Sequence, residues 1–299
     1  MIPAKFDYER AGSVDEALEL LGRDDAKLLA GGHSLLPLMK LRLAQPALLV
    51  DIGRIEELAY VRDAGEQLAI GALTRHHDVA NDPLVQEHCP ILSHAAGLIG
   101  DPQVRHRGTI GGSVAHGDPA SDLPTVLLVL DAEFAVRGPG GETTVPAAEF
   151  FRGLFETALG PQDILTEIRI PKLGAWKGWS YQKFNRRAQD WATVGVAAVL
   201  RRDNGTIEEA CVALTNMGLT PLRAKAVEEA LAGSSADDAA AAVFFFNDAA
   251  TTEIYTGKLA VWKAKSDAVK QFAQQMVDEH LQDDAGGRAA RLRQGRADA

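Results

Sequence analysis

The chain has 299 residues, a length that accommodates about two domains. It is 46% hydrophobic and 24% charged, an ordinary globular composition whose core needs neither disulfide staples nor a structural metal. The formal net charge of -10 excludes a nucleic-acid binder built on a basic face and leaves only a local basic patch at Arg105, His106 and Arg107. The only cysteines, Cys89 and Cys211, lie far apart, which argues against a disulfide framework and fits a reducing compartment. Two thiols also cannot supply the four thiolates of an ordinary iron–sulfur cluster. Met1–Tyr8 lacks the pattern of a signal peptide, and no apolar run reaches the ~18 residues of a membrane span.

In chain order, Ser13 caps a predicted helix over 14–21, with Glu16 at the capping-box position and Gly22 as the stop. A short strand is expected over 27–30, a helical turn within 35–43, and a buried strand over 47–52. A strand over 67–72 is followed by Thr74, which can cap a helix running to about Ala80. Residues 89–98 read as a helix, and Asp122-Leu123-Pro124 opens another through Leu130, where proline at the first turn sacrifices no helical hydrogen bond. Residues 133–136 and 142–145 flank Gly138-Pro139-Gly140-Gly141 as a hairpin. A strand over 164–171 leads to a boundary near 174–178. A three-stranded meander follows over 180–184, 194–200 and 208–214, with Asp203-Asn204-Gly205 as a tight turn, and then a helix over 224–232.

Two short segments carry the functional signal: Ala30-Gly31-Gly32-His33-Ser34 and Thr109-Ile110-Gly111-Gly112-Ser113. Each pairs two glycines with a hydroxyl side chain, and each follows residues that can form a strand. Glycine allows positive φ and close approach of a ligand to the amides, and several amides pointing one way make an anion nest. Two nests in one domain point to a ligand with two linked phosphates, such as a dinucleotide.

The surroundings extend the pattern. Leu28-Leu29-Ala30-Gly31-Gly32-His33-Ser34-Leu35-Leu36-Pro37, then Arg107-Gly108-Thr109-Ile110-Gly111-Gly112-Ser113, then Gly117-Asp118-Pro119-Ala120-Ser121-Asp122-Leu123-Pro124, occur in this order. This resembles the FAD-binding medium subunits of molybdenum hydroxylases, most of all those of aerobic carbon monoxide dehydrogenases, with the FAD domain of xanthine dehydrogenase as a relative. The resemblance runs from about Lys5 to about Ala232. It implies an α+β fold: a two-part FAD-binding domain of the PCMH type over 1–175, then an antiparallel sheet domain with helices over 176–240, leaving 241–299 as an atypical C-terminal segment.

The resemblance also implies site residues. Leu28, Leu29, Ala30, Gly31, Gly32, His33, Ser34 and Leu35 would wrap the FAD pyrophosphate with backbone amides, and Thr109, Ile110, Gly111, Gly112 and Ser113 would bind the same region from the other side. Asp122 would hydrogen-bond the flavin nucleotide, Ile99 would pack near it, Leu165 would contact the ring system, and Lys183 would approach from the second domain. Amides and hydroxyls satisfy a pyrophosphate without many cations, which suits an acidic chain, and a lysine near the ring could stabilise reduced, anionic flavin. The implied function is an electron-transfer subunit. A molybdenum-cofactor large subunit would oxidise substrate, a small subunit would carry two [2Fe–2S] clusters, and FAD would pass electrons to an acceptor such as quinone, in a dimer of heterotrimers. The implied location is cytoplasmic, including the inner face of the membrane. A stand-alone FAD oxidoreductase, a xanthine dehydrogenase-like or aldehyde-oxidising hydroxylase subunit, and a non-catalytic nucleotide-binding scaffold are the alternatives.

Other polar residues read more simply. His33 orders its loop, His76 and His77 are surface or capping residues, and His116 is a solvated loop histidine. Asp118 serves a turn, and Asp122 and Asp118 lack a third ligand for a metal. Arg105 and Arg107 are either phosphate or partner contacts or merely exposed, and Trp191 is in the core, at the flavin or at a subunit contact. Phe244–Thr256 departs from the family and looks like translated sequencing-adapter sequence. Beyond it, 258–281 has helical periodicity and 286–299 is an arginine-rich tail.

Overall fold

The computed structural model describes residues 2–174 and 177–234. The readings made on 241–299, including the adapter-like stretch, the helix and the tail, lie outside these residues.

The chain opens with strand β1 (Asp7–Arg10), which carries no clear apolar alternation and was not legible in the sequence. Helix α1 (Val14–Leu21) follows, with the predicted Ser13 cap, to which the Glu16 amide donates at 3.2 Å, but the Glu16 carboxylate reaches one residue past the cap and accepts from the Gly12 amide at 2.7 Å instead of the Ser13 amide of a capping box. Strand β2 (Ala26–Leu29), helix α2 (Leu35–Lys40) and strand β3 (Leu48–Asp51) complete a parallel sheet of order β1-β3-β2. Parallel neighbours require crossovers, and α1 and α2 supply them. Val14, Ala17, Leu20 and Leu21 of α1 join Leu48, Val50 and Ile52 in one small core.

The second layer begins with β4 (Val61–Ala64) and β5 (Gln67–Gly71). A helical stretch follows: α3 (His76–Asn81), α4 (Pro83–His88), α5 (Pro90–Gly97), α6 (Pro102–Arg105), α7 (Ile110–His116) and α8 (Asp122–Val129). Then come β6 (Glu133–Gly138), β7 (Gly141–Pro146), α9 (Ala147–Phe150), the small β8 (Phe151–Gly153) and β9 (Glu156–Thr157) pair, and β10 (Ile164–Pro171). The five-stranded antiparallel sheet has the order β4-β5-β10-β6-β7. Every residue of α8 is buried, because it lies between this layer and the next.

Two local readings are corrected here. Thr74 does not cap α3: its hydroxyl accepts from the Tyr60 amide at 3.1 Å and donates to the Tyr60 carbonyl at 2.9 Å, and Arg75 takes the cap position. The second glycine segment does not follow a strand. It follows the one-turn helix α6 and is itself the first turn of α7.

The third layer is the antiparallel sheet β11 (Lys177–Phe184), β12 (Val194–Asp203), β13 (Thr206–Thr215) and the short β14 (Leu222–Arg223), backed by α10 (Lys225–Leu231). Asn204 and Gly205, with φ of 47° and 83°, make the β12–β13 turn, the left-handed pair that a two-residue hairpin selects. The sheet packs on α8. Arg223 fastens the two layers by donating to Asp131 Oδ1 at 3.0 Å and to the Leu128 carbonyl at 3.3 Å. The architecture is α+β, as the sequence implied.

Candidate functional site

The two glycine segments, some eighty positions apart in sequence, meet in space. A Cβ on Gly31 would strike the Arg107 carbonyl oxygen and lie 2.9 Å from Gly108 Cα, so only glycine allows this backbone-to-backbone approach. Gly32 has φ of +77°, which turns the chain out of β2 and into α2. The amides of Gly31, Gly32, His33 and Ser34 donate to no other group among the described residues. Unpartnered backbone donors in a row are costly to bury and are what an anion satisfies. Leu28, Leu29, Ala30 and Leu35 flank this loop and are all half-buried, and His33 is exposed at its tip.

The second segment is built differently. The Ile110 amide donates to the Thr74 carbonyl at 2.9 Å and the Gly111 amide to the Ala72 carbonyl at 2.9 Å. Thr109 is the N-cap of α7: its Oγ1 accepts from the Gly112 amide at 3.2 Å and its carbonyl from the Ser113 amide at 3.1 Å. A Cβ on Gly111 would lie 2.6 Å from the Ala72 carbonyl oxygen, which explains that glycine by packing. Ser113 Oγ sits 2.6 Å from Ser121 Oγ. This segment therefore offers hydroxyls and close-packed backbone beside the first loop rather than a second row of free amides.

Asp122, at the start of α8, is 4% exposed. Its Oδ1 accepts from the Tyr181 hydroxyl at 2.6 Å and its Oδ2 from Lys183 Nζ at 2.8 Å. Lys183 also donates to the Leu98 carbonyl at 3.3 Å, which uses two of the three ammonium N–H groups. The Tyr181 hydroxyl lies 3.4 Å from Thr215 Oγ1, and Thr215 donates to Thr125 Oγ1 at 2.8 Å. A Cβ on Gly195 would lie 2.8 Å from the Tyr181 hydroxyl, so that glycine makes room for it. Burial pushes the Asp122 carboxyl above the ordinary carboxylate range, against the pull of Lys183 and Tyr181. Burial likewise raises Tyr181, with the Asp122 charge adding to the effect.

The structure thus joins Asp122 and Lys183 as a buried ion pair between two layers, and adds Tyr181, Thr125 and Thr215. The sequence signal for Tyr181 was the period-two alternation of β11, which places Tyr181 and Lys183 on one face; Thr125 on α8 and Thr215 at the end of β13 come in only through the packing of α8 against the sheet.

Ile99 is half-buried against the main core, and its carbonyl accepts from Arg105 Nη1 at 2.9 Å. Leu165 is buried in β10, opposite Val136 and beside a register shift. His76 is not a surface residue. It is 5% exposed, and its ring packs against Gly108, where a Cβ would lie 2.8 Å from Cδ2. Its Nδ1 has no partner among the described residues, and burial, reinforced by His33 and Arg105, pulls its pKa down to about 4. His116 is half-buried at the end of α7, stacked 5.0 Å from Phe155, and burial lowers its pKa. Asp118 serves its turn by accepting from the Ala120 amide at 2.9 Å. Trp191 is 69% exposed, which removes it from the core.

A glycine-lined row of amides without internal acceptors is the kind of group that binds the phosphates of a nucleotide cofactor. FAD fits this chemistry, since its diphosphate suits the unpartnered amides of residues 31–34.

Comparison with known proteins narrows the class. The model of the FAD binding domain in molybdopterin dehydrogenase matches residues 4–173, and that of the CO dehydrogenase flavoprotein C-terminal domain matches 179–252. A model for a domain of unknown function overlaps the end of the second, at 223–292. The chain is 48% identical over 237 residues to the carbon monoxide dehydrogenase medium chain of Hydrogenophaga pseudoflava, covering 79% of this chain and 83% of that one. It is 42% identical over 238 residues to a 6-hydroxypseudooxynicotine dehydrogenase subunit of Paenarthrobacter nicotinovorans, covering 79% and 80%. A solved carbon monoxide dehydrogenase from Hydrogenophaga pseudoflava superposes with a TM-score of 0.79 at 44% identity, covering 93% of this chain and 96% of that one.

The chain belongs to the family of FAD-binding medium subunits of molybdenum hydroxylases. It is an oxidoreductase flavoprotein component, with FAD as its cofactor.

Proposed function

We propose that the chain is the electron-transfer subunit of a carbon monoxide dehydrogenase-type molybdenum hydroxylase, working with a molybdenum-cofactor large subunit and a [2Fe–2S] small subunit. The observation that carries the reading is the row of free amides at 31–34, set beside the second glycine segment and facing no internal acceptor. Similarity to medium chains over most of the length supports the partner set.

In this reading the first loop holds the diphosphate through its amides, and Thr109 and Ser113 border it with hydroxyls. Asp122 and Lys183 hold the flavin end, with Ile99 and Leu165 as apolar neighbours. FAD, when bound, supplies a carrier that can accept electrons singly and release them as a pair. The chain's own work is to bind and orient it. The Lys183 ammonium, fixed by Asp122 and the Leu98 carbonyl, keeps one N–H to donate to an acceptor on the flavin. No proton donor or nucleophile is required for electron transfer, and none is assigned. The external acceptor is an organic oxidant of the quinone type, and the domain boundary falls near residue 175. Substrate choice rests with the large subunit, which fits relatives named for substrates as different as carbon monoxide and 6-hydroxypseudooxynicotine.

The test is purification from native cells without added cofactor. The expected result is co-purification with two partner chains, molybdenum and iron in the preparation, and one FAD per chain in the absorbance spectrum. A colourless chain that takes up no FAD overturns the reading. A flavin-loaded chain that alone oxidises a small-molecule donor replaces it with the stand-alone oxidoreductase.

A further inference from the structure

Helices α3, α5 and α6 border an open groove of about 540 Å³ that contains none of the residues assigned to FAD. Its ionisable lining consists of His77, His94, His106 and Arg105, with no aspartate or glutamate among them, in a chain of net charge -10. Three carboxylates adjoin lining residues in sequence without lining the groove: Asp101 caps α6, accepting from the Val104 amide at 3.0 Å, Asp82 caps α4, accepting from the Leu84 amide at 2.9 Å, and Asp78 is exposed.

Arg105 is already ordered. Its Nη1 donates to the Ile99 carbonyl at 2.9 Å and the Gly100 carbonyl at 3.4 Å. Its Nε and Nη2 donate to nothing among the described residues. Those two nitrogens form the side edge of the guanidinium, the edge that grips a carboxylate or phosphate with two parallel hydrogen bonds. The His77 and His106 rings lie with centroids 4.0 Å apart on the same groove as Arg105, so their ring nitrogens add hydrogen-bonding groups beside its guanidinium. His106 is held in place from behind, since its carbonyl accepts from Arg75 Nη1 at 2.8 Å. No group of three metal-ligating side chains is present among the described residues, which turns the histidines from metal ligands to hydrogen-bond donors. The volume exceeds that of a bare ion and lies in the range of small organic ligands. Ala80, Gly97 and Leu98 give part of the wall an apolar character suited to a carbon skeleton.

We infer that this groove binds a small organic molecule bearing a carboxylate or phosphate, gripped by the free edge of Arg105 and the His77–His106 pair. The site is separate from the FAD cradle, although its wall adjoins it: Leu98 lines the groove and its carbonyl holds Lys183.

The test uses the full chain with FAD bound, so that the diphosphate cradle is filled. Inorganic phosphate and succinate are titrated separately while the histidine ring and arginine Nε–H resonances are followed by NMR. The expected result is that the His77, His106 and Arg105 signals move together and saturate, with the flavin spectrum unchanged in amplitude. Arg105→Lys keeps the charge but loses the fork, and is expected to weaken binding about tenfold. His77→Asn with His106→Asn leaves the Arg105 tether intact and is expected to weaken it as well. Saturation with phosphate but not succinate assigns a phosphate-bearing ligand, and the reverse assigns a carboxylate. Shifts that rise linearly without saturation, or affinities unchanged in both variants, overturn the inference. Release of FAD by phosphate with these signals unmoved overturns it too, since the anion would then be acting at the cradle.

Discussion

The two glycine segments look alike as strings and differ as structures. At residues 31–34 the glycines free the backbone: Gly32 takes a positive φ, Gly31 lets a neighbouring chain come close, and four consecutive amides are left without internal acceptors. At residues 109–113 the glycines let the backbone pack: Gly111 abuts Ala72, and the amides of residues 110–113 are consumed by Thr74, Ala72 and the Thr109 cap. The same residue type at the same local spacing serves a ligand in one place and a helix start in the other. What separates them is whether an internal carbonyl or hydroxyl reaches each amide first.

The strongest probe of this contrast is Asp122, where donors and acceptors are closed on one another much as in the second segment. Asp122→Ala leaves the Lys183 ammonium buried and uncompensated, and is expected to cost about 3–5 kcal/mol in urea unfolding and to lose FAD. A loss near zero would mean that the pair is not desolvated.

His76 comes next, because it supports the point where the segments touch: its amide donates to the Gly108 carbonyl at 3.0 Å. Its folded pKa of about 4 lies below the ordinary 6.5, so the unfolded chain takes up the proton first as pH falls. The stability this represents is fully present above the ordinary value and is lost as pH drops toward the folded one. The sum is about 3 kcal/mol at most. Urea midpoints of the wild type and His76→Gln, compared at neutral pH and near pH 4, should show the wild type's advantage shrinking on acidification. A flat difference would show that His76 is not held neutral by burial.

The smallest effects discriminate the segments directly. Gly31→Ala forces its methyl into the Arg107–Gly108 backbone and is expected to cost about 1–3 kcal/mol while abolishing most FAD uptake. Thr109→Ala removes a cap and is expected to cost about 0.5–2 kcal/mol while leaving more of the FAD bound. Flavin content per chain beside thermal midpoints reads both, and equal flavin loss in the two variants would erase the distinction drawn here.

Much of this was legible early because it is local chemistry. The Ser13 cap, the Asn204-Gly205 turn, the apolar run of α8 and the alternation of β12 and β13 each follow from neighbours within a few positions. So did the family, because three motifs agree in order. What failed was equally specific. Thr74 carries a capping side chain, yet Tyr60, fourteen positions away, offered better partners. His76 looked like a surface residue because its own neighbourhood is polar, and its burial comes from Gly108 on another segment.

The sequence by itself determined most of the strongly patterned elements, the family, and the kind of ligand the first glycine loop suits, since these depend on backbone sterics and short-range pattern. Only the tertiary structure decided which amides stay free, that Asp122 and Lys183 close on each other with Tyr181, and that Arg105 and three histidines share one groove. Those outcomes depend on which distant group arrives within hydrogen-bonding distance, and on water being excluded when it does.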